Sequence, residues 1–388
     1  MKKNIIILGS TGSIGTSTIN LIKKDKNKFS IKLLSTHTNI KKVYNQAKLF
    51  KVKNVIISDK KSYERAKKLY RKSNIKFHNS FFIIDNLFKK KEIFFSMVSI
   101  VGLDGLDPSL KLVKYCQNIA IINKESLICG WNLISKELKK YKTKFFPVDS
   151  EHFSIFSLID NQPNKIIDQI FLTASGGPFL NYTHSKLSDV KIAQVLKHPT
   201  WNMGKKISVD SSTMMNKLFE VIEAKKIFNI PYKKINILIH PKSYVHALVR
   251  FNNGITKILV HDPDMKIPIH NSLYYKKNMQ FKTKSLNFKI LNNLDFKSVN
   301  YKKFPLLKLL NNLPKNDSLY ETVLVTINDF FVSIYLNKKI DYKRLVHLIY
   351  SYSNNKIFLK FKKKIPKNVN EIYKTKNFVY TKLNNWGI

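Results

Sequence analysis

Apolar and polar positions fall into blocks that change period along the chain. Residues 4–8 (Asn-Ile-Ile-Ile-Leu) form a short apolar run ended by glycine, the pattern of a strand buried on both faces. A helical pattern follows over 16–24. Further strand-like runs occupy 31–35, 52–58, 93–100 and 119–123, with helical stretches between them. Strand and helix alternating over this length predict an α/β region built on a doubly wound parallel sheet. A second section opens near Asp149. It holds a strand at 169–173 that runs into Ala174-Ser175-Gly176-Gly177-Pro178, a polar loop at 198–206 and a helix over 211–228 with Ser211 or Ser212 as N-cap. Strands at 235–240 and 247–251 complete an α+β pattern. Residues 277–303 are rich in Lys and Asn and read as a connector. From 304 to 388, Leu, Ile and Tyr recur at helical spacing, which predicts a C-terminal helical bundle. The division expected is 1–148, 149–276, 277–303 and 304–388, with no internal repeat.

Composition adds limits. A chain of 388 residues exceeds one ordinary core, and 44% hydrophobic residues is a globular content. The net charge is +44, from 69 Lys+Arg against 25 Asp+Glu. Such a charge invites a nucleic-acid partner, but the only arginines are Arg65, Arg71, Arg250 and Arg344. Base readout and phosphate clamping favour arginine. The lysines are scattered and mixed with Asn and Ile, as drift toward A/T-rich codons would leave them. The expectation is no specific nucleic-acid partner, with nonspecific, salt-sensitive polyanion binding only. Cys116 and Cys129 form no CxxC and imply neither a zinc site nor a disulfide framework. The N-terminal apolar run is shorter than the roughly 7–15 residues of a signal peptide, and no run approaches the ~20 of a membrane span. A soluble, cytoplasmic protein with no membrane partner is expected.

Several segments carry candidate chemistry. Gly9, Gly12 and Gly15 lie between a strand and a helix, where a pyrophosphate meets backbone N–H groups. A glycine-rich turn without a ligand is the plainer alternative, and the strand-turn-helix context favours the nucleotide. NAD sites place an acid on the ribose about 20 residues on. Here that region reads Ser35-Thr36-His37-Thr38-Asn39 and then Lys41 and Lys42, which predicts NADP(H) over NAD(H). Asp149 and Glu151, two apart after a strand-like run, would share a face in extended chain and could meet a hard divalent ion. On this pair alone an acidic loop bridged to lysines is the stronger reading. Asn123-Lys124-Glu125-Ser126 sits at a strand's C-terminal end, where open α/β sheets bind ligands; an ordinary helix start is equally compatible. Asn216, Lys217 and Glu220 share a helix face that suits a phosphorylated, metal-bound polyol or, more plainly, a solvated Lys–Glu pair. Ser175, His198 and Ser211 are candidate phosphate or hydroxyl donors. The stretch His198-Pro199-Thr200-Trp201-Asn202-Met203-Gly204 has the makings of a lid. His37, His78, His184 and His347 are read as structural.

Together these segments resemble the 1-deoxy-D-xylulose 5-phosphate reductoisomerase family. The matching stretches are GSTGSIG (9–15), NKES (123–126), PVDSEH (147–152), SGGPF (175–179), HPTWNMGKKISVDSSTMMNK with Glu220 (198–220) and IHPKSYVH (239–246). The resemblance implies a homodimer whose subunits have a Rossmann-like NADPH domain, a catalytic domain that also dimerises, and a C-terminal helical bundle. It implies Asp149, Glu151 and Glu220 as ligands of Mg²⁺ or Mn²⁺, with Co²⁺ a further option. Lys124, Ser150, Glu151, Ser175, His198, Ser211, Asn216, Lys217 and Glu220 would contact a sugar phosphate, with Lys124, Glu151 and His198 catalytic. Thr11, Gly12, Ser13, Ile14, Asn39, Asn123, Glu125 and Gly204 would contact NADPH. The expected reaction is NADPH- and metal-dependent rearrangement and reduction of 1-deoxy-D-xylulose 5-phosphate to 2-C-methyl-D-erythritol 4-phosphate. The sequence departs from the family at Leu218, where glycine is common, at His37-Thr38, and at Asn328-Asp329, where the family has Asn-Glu. Two other readings are a metal-free NADP-dependent dehydrogenase of a small sugar phosphate and a Lys-rich nucleic-acid-binding protein.

Overall fold

The computed structural model describes residues 2–386 apart from 160, 161, 184, 188, 189, 202, 276 and 278; His184 and Asn202 therefore lie outside the described residues. The chain divides into two compact units. The first comprises Met1–Leu127, Asn132–Asp149 and Asp264–Phe281; the second comprises Ile128–Trp131, Ser150–Pro263 and Lys282–Ile388.

The first unit is a parallel sheet of β1 (Lys3–Leu8), β2 (Phe29–Thr36), β3 (Asn54–Ile57), β4 (Lys76–His78), β5 (Ile93–Val98), β6 (Cys116–Ile121) and β7 (Lys144–Phe146). Its order is β4-β3-β2-β1-β5-β6-β7. Parallel neighbours require crossover connections, which the helices Ser13–Lys24, Ile40–Phe50 and Lys60–Leu69 supply on one side of β1. Ile5, Ile6, Ile7 and Leu8 are all buried, which is why β1 reads as an unbroken apolar run. The strand order reverses beside β1, so the turn after β1 opens at the switch point where such sheets bind ligands.

The second unit holds a mixed sheet of β8 (Ile167–Ala174), β9 (Ile235–Ile239), β10 (Val245–Phe251), β11 (Thr256–Val260) and β12 (Lys297–Ser298), in the order β11-β10-β8-β9-β12. β8 pairs parallel to β9 and antiparallel to β10. The helices Ser150–Ile159 and Met215–Phe228 cover it, burying Ile155, Leu158, Val221, Ala224 and Phe228 with Ile170, Leu172, Ala247 and Val249. The helices Tyr320–Leu336, Tyr342–Ser353 and Val369–Asn385 form the C-terminal bundle, joined by ring contacts such as Phe330–Tyr380 at 5.2 Å and Phe331–Tyr352 at 5.3 Å. Among the described residues no helix is long and apolar enough to cross a membrane.

Three local expectations change. The helix expected over 211–228 is two helices, Lys205–Ser212 and Met215–Phe228, with Met214 left-handed (φ 62°) between them. The hydroxyls of Ser212 and Thr213 donate back to the Val209 carbonyl at 2.7 and 3.3 Å, so these residues close one helix rather than cap the next. Asp149 and Glu151 are not in extended chain. β7 ends at Phe146, Pro147 has no N–H to continue the ladder, and a helix starts at Ser150. The connector 277–303 contains the helix Phe288–Leu291 and β12. The segment Asp264–Phe281 packs into the first unit, where the Tyr274 hydroxyl donates to Asp25 and its ring meets Phe29 at 5.6 Å.

Candidate active site

The nucleotide candidate is built by the turn after β1. Gly9 has φ 75°, and a Cβ there would lie 2.5 Å from the Ser99 carbonyl oxygen. A Cβ on Gly15 would lie 2.3 Å from the Gly9 oxygen, so helix and turn pack at glycine distance. Gly12 is open: its Cβ would meet only the Gly9 oxygen, at 3.5 Å. Gly12 is also the N-cap of Ser13–Lys24, with no side-chain cap and no acid in the first turn, so the leading N–H groups face outward. Thr11 is fixed by its hydroxyl contact with Thr36 at 2.7 Å, and its carbonyl accepts from Lys42 Nζ at 2.9 Å. Asn39 caps the helix Ile40–Phe50 by accepting from the Lys42 N–H. A groove of about 420 Å³ runs between the helices Ser13–Lys24 and Ile40–Phe50, from Thr16 and Asn39 to Lys23 and Leu49, beside the turn rather than in it. At the end of β6, Asn123 donates to the Gly102 carbonyl at 2.8 Å, while its buried Oδ1 has no hydrogen-bond partner. An open backbone cradle, Lys41 and Lys42 beyond the end of β2, and an orphaned buried acceptor all fit a phosphorylated dinucleotide. Glu125, buried, stands in the first turn of Lys124–Tyr141. Ile14 lies in the first turn of its helix beside Ser13.

The carboxylates gather where the second unit begins. Asp149 is bonded to Ser150, the first residue of the helix that carries Glu151. Carboxylate oxygens of Asp149, Glu151 and Glu220 lie within 4.8 Å of one another. Glu220 is 2% exposed, and its helix is held from behind by buried His152, whose Nε2 meets the Glu220 carbonyl at 2.9 Å. Lys217 Nζ donates to Glu151 at 2.8 Å and to Glu220; Asn216 Nδ2 donates to Glu220 at 2.5 Å; the Ser150 hydroxyl donates to Glu151 at 2.5 Å. Lys124 pairs with Asp149. Burial alone would depress the Lys217 ammonium, but Glu151 and Glu220 hold it above the usual lysine range. Clustered hard oxygen donors that recruit buried ammonium groups are the donor set a divalent cation requires.

A third group offers donors. The His198 Nδ1 accepts from the backbone N–H groups of Thr200 at 3.2 Å and Trp201 at 3.0 Å. That leaves the proton on Nε2, 3.1 Å from the Ser175 hydroxyl oxygen. Ser175 Oγ also accepts from the Gly177 N–H at 3.1 Å, so its own proton is available to a ligand. Burial holds the His198 pKa down at about 4, which keeps the ring neutral near pH 7. Ser211 lies against this loop: a Cβ on Gly177 would come within 3.0 Å of the Ser211 carbonyl oxygen. Gly204 is the N-cap of Lys205–Ser212, and Trp201 packs edge-on to His246 at 6.0 Å.

Comparison with known proteins agrees with this geometry. Models of the 1-deoxy-D-xylulose 5-phosphate reductoisomerase match residues 5–130, and models of its C-terminal domain match 145–228 and 261–380. The chain belongs to this family. It is 49% identical to the 1-deoxy-D-xylulose 5-phosphate reductoisomerase of Pelagibacter ubique (strain HTCC1062), over 100% of each chain. Two solved reductoisomerases share its fold. One is the Zymomonas mobilis enzyme in complex with NADPH (TM-score 0.88, 29% identity, 98% of this chain and 97% of that one). The other is a complex with NADPH, fosmidomycin and magnesium (TM-score 0.89, 27% identity, 97% and 96%).

Within the reductoisomerase frame, the structure adds residues that were not singled out in the sequence. His152 had a signal, since it follows Glu151 directly. Asp210, whose carboxylate accepts from Asn328 at 2.8 Å, had none, because the partners are far apart in sequence. Leu218, where the family commonly has glycine, is fully buried in the core. His37 meets the Ser58 hydroxyl at 2.9 Å and His78 meets Asn54 at 3.0 Å, which fits their structural reading.

Proposed function

We propose that this chain converts 1-deoxy-D-xylulose 5-phosphate to 2-C-methyl-D-erythritol 4-phosphate, using NADPH and a divalent metal ion. The observation that carries the reading is the clustering of Asp149, Glu151 and Glu220, with Lys217 bridging Glu151 and Glu220, in a chain matched from end to end by reductoisomerases. Related structures hold NADPH, magnesium and fosmidomycin, which supports the same cofactors here. Asp149, Glu151 and Glu220 would hold Mg²⁺ or Mn²⁺. The turn Thr11–Ile14, with Asn39, Asn123 and Glu125, would hold NADPH within the section expected at residues 1–148, and Gly204 of the catalytic section would add a further contact. When bound, the metal supplies a Lewis acid for the substrate's ketone and hydroxyl oxygens, and NADPH supplies hydride.

The remaining work falls to side chains. Ser175, through its free hydroxyl proton, and His198, through Nε2–H, donate toward the substrate phosphate, with Ser211 beside them. Anchoring the phosphate helps to fix the reacting carbons. Asn216 and Lys217 hold the polyol and the Glu220 carboxylate on one helix face. Lys124 and Glu151, both hydrogen-bonded and partly buried, are the groups placed to move protons during rearrangement. Closure of the 198–205 segment, with Trp201 as its aromatic cover, would exclude water. A homodimer in the cytoplasm is the assembly and location we propose.

The test is NADPH consumption by purified protein given 1-deoxy-D-xylulose 5-phosphate with Mg²⁺ or Mn²⁺. Consumption that stops in EDTA and returns with metal supports the proposal. Full activity in EDTA would favour a plain dehydrogenase.

A further inference from the structure

The three consecutive residues that centre on Ser211 are tied down on both sides by the C-terminal helices. Asp210, on one side, is 3% exposed; its carboxylate accepts from Asn328 Nδ2 at 2.8 Å and lies 3.3 Å from Lys206 Nζ, which also pairs with Asp329 at 2.9 Å. Ser212, on the other side, has its backbone carbonyl bonded by the Tyr342 hydroxyl at 2.7 Å. Asn328 and Tyr342 are buried, on the helices Tyr320–Leu336 and Tyr342–Ser353. Just beyond Ser212 the chain turns through Met214, buried and left-handed at φ 62°. A side chain with a Cβ resists that conformation, which persists only where the surroundings over-determine it. The turn presents Ser211 at the end of one helix and Asn216 and Lys217 at the start of the next. Gly177, at φ 67°, packs its backbone directly on Ser211 and Ser212, so the spacing between Ser175 and Ser211 depends on where this corner sits.

We propose that Asn328 and Tyr342 are positioning residues for the phosphate cradle, setting the enzyme's affinity for the phosphate end of its substrate. The proposal rests on the reading of Ser175, His198 and Ser211 as phosphate donors. The C-terminal bundle thereby acts on the reaction without touching the reacting atoms. Loss of either tether lets the corner relax around Met214 and carries Ser211 away from Ser175. A displacement of this kind weakens anchoring of the phosphate before it affects the chemistry.

The experiment uses full-length protein with Tyr342→Phe, which removes one hydroxyl, and Asn328→Leu. For each, kcat, KM for 1-deoxy-D-xylulose 5-phosphate, competitive inhibition by inorganic phosphate, NADPH affinity by fluorescence and the thermal midpoint are measured. The expected result is a rise of roughly tenfold in both KM and the phosphate inhibition constant, with kcat within about threefold and NADPH affinity unchanged. Folded variants with wild-type KM and phosphate inhibition would overturn the proposal. So would a fall in kcat at constant KM, or an equal loss of NADPH affinity. If Asn328→Leu does not fold, Tyr342→Phe decides alone. Wild-type protein that consumes no NADPH with this substrate would instead sink the functional reading beneath the proposal.

Discussion

Replacing Glu220 by Gln keeps the side chain's shape and removes one of the clustered negative charges. In the wild type the carboxylate is almost fully buried and takes hydrogen bonds from Asn216 and Lys217. The amide can still accept from Asn216, so the fold should survive. Lys217 keeps Glu151 at 2.8 Å but loses its second counter-charge. Breaking a buried ion pair outright costs about 3–5 kcal/mol, and retention of one partner places this case lower, near 1–3 kcal/mol. The effect on metal is larger. Counting only one of the ion's two positive charges, its attraction to a carboxylate at about 4 Å under an effective dielectric of about 20 is worth ~4 kcal/mol, close to a thousandfold in affinity. The assay is calorimetric titration of apo wild type and variant with Mn²⁺, alongside turnover and a thermal melt. We expect binding weakened by two to three orders of magnitude (about 3–4 kcal/mol), a turnover loss at least as large, and a melt still cooperative. Wild-type Mn²⁺ affinity with near-normal turnover would remove Glu220 from the metal site and refute the electrostatic argument.

Ser175→Ala should raise KM for the substrate by roughly ten- to a hundredfold with a smaller change in kcat, since it deletes one hydrogen bond to a charged group; steady-state kinetics read this directly. Gly15→Ala should lose NADPH binding and about 1–3 kcal/mol of stability, because its Cβ would stand 2.3 Å from the Gly9 oxygen; a fluorescence titration with NADPH and a denaturant melt check both. Burial, reinforced by neighbouring His261, pushes the His246 pKa down to about 3. The unfolded chain then binds more protons than the folded one below about pH 6.5, so this contribution is full above that pH and is lost as pH falls toward 3. Urea midpoints at pH 7 and pH 4.5 should therefore differ less in His246→Phe than in wild type; an equal difference would show that His246 does not titrate as described.

How much of this was legible in sequence depended on how local the causes were. β1 and its glycine turn were readable because a buried parallel strand leaves an unbroken apolar run and Gly15 meets a steric demand set within the same turn, by Gly9 and Ser10; the demand on Gly9 comes from distant Ser99 and leaves no local trace. Asp149 and Glu151 stand out through their two-residue spacing after a strand-like run, a reason the fold does not use: they lie at a helix start, not on an extended face. The break at Met214 was hidden, since Ser211-Ser212-Thr213 looks like an N-cap and the hydroxyls turn back to the preceding helix instead. β11 and β4 were missed because one is a largely exposed edge and the other spans only three residues. The packing of Asp264–Phe281 with the first unit, like the Asn328–Asp210 bond, joins residues more than a hundred positions apart and leaves no periodic signal. The +44 charge, the most conspicuous compositional feature, contributes little to the site, where the decisive groups are three acids, buried Lys217 and partly buried Lys124.

The most direct test is to incubate the purified chain with NADPH, 1-deoxy-D-xylulose 5-phosphate and Mg²⁺ or Mn²⁺ and to identify the product by NMR. The account predicts stoichiometric NADPH oxidation and the branched carbon skeleton of 2-C-methyl-D-erythritol 4-phosphate, both abolished by EDTA. A product with an unbranched skeleton, or turnover indifferent to metal, would contradict it.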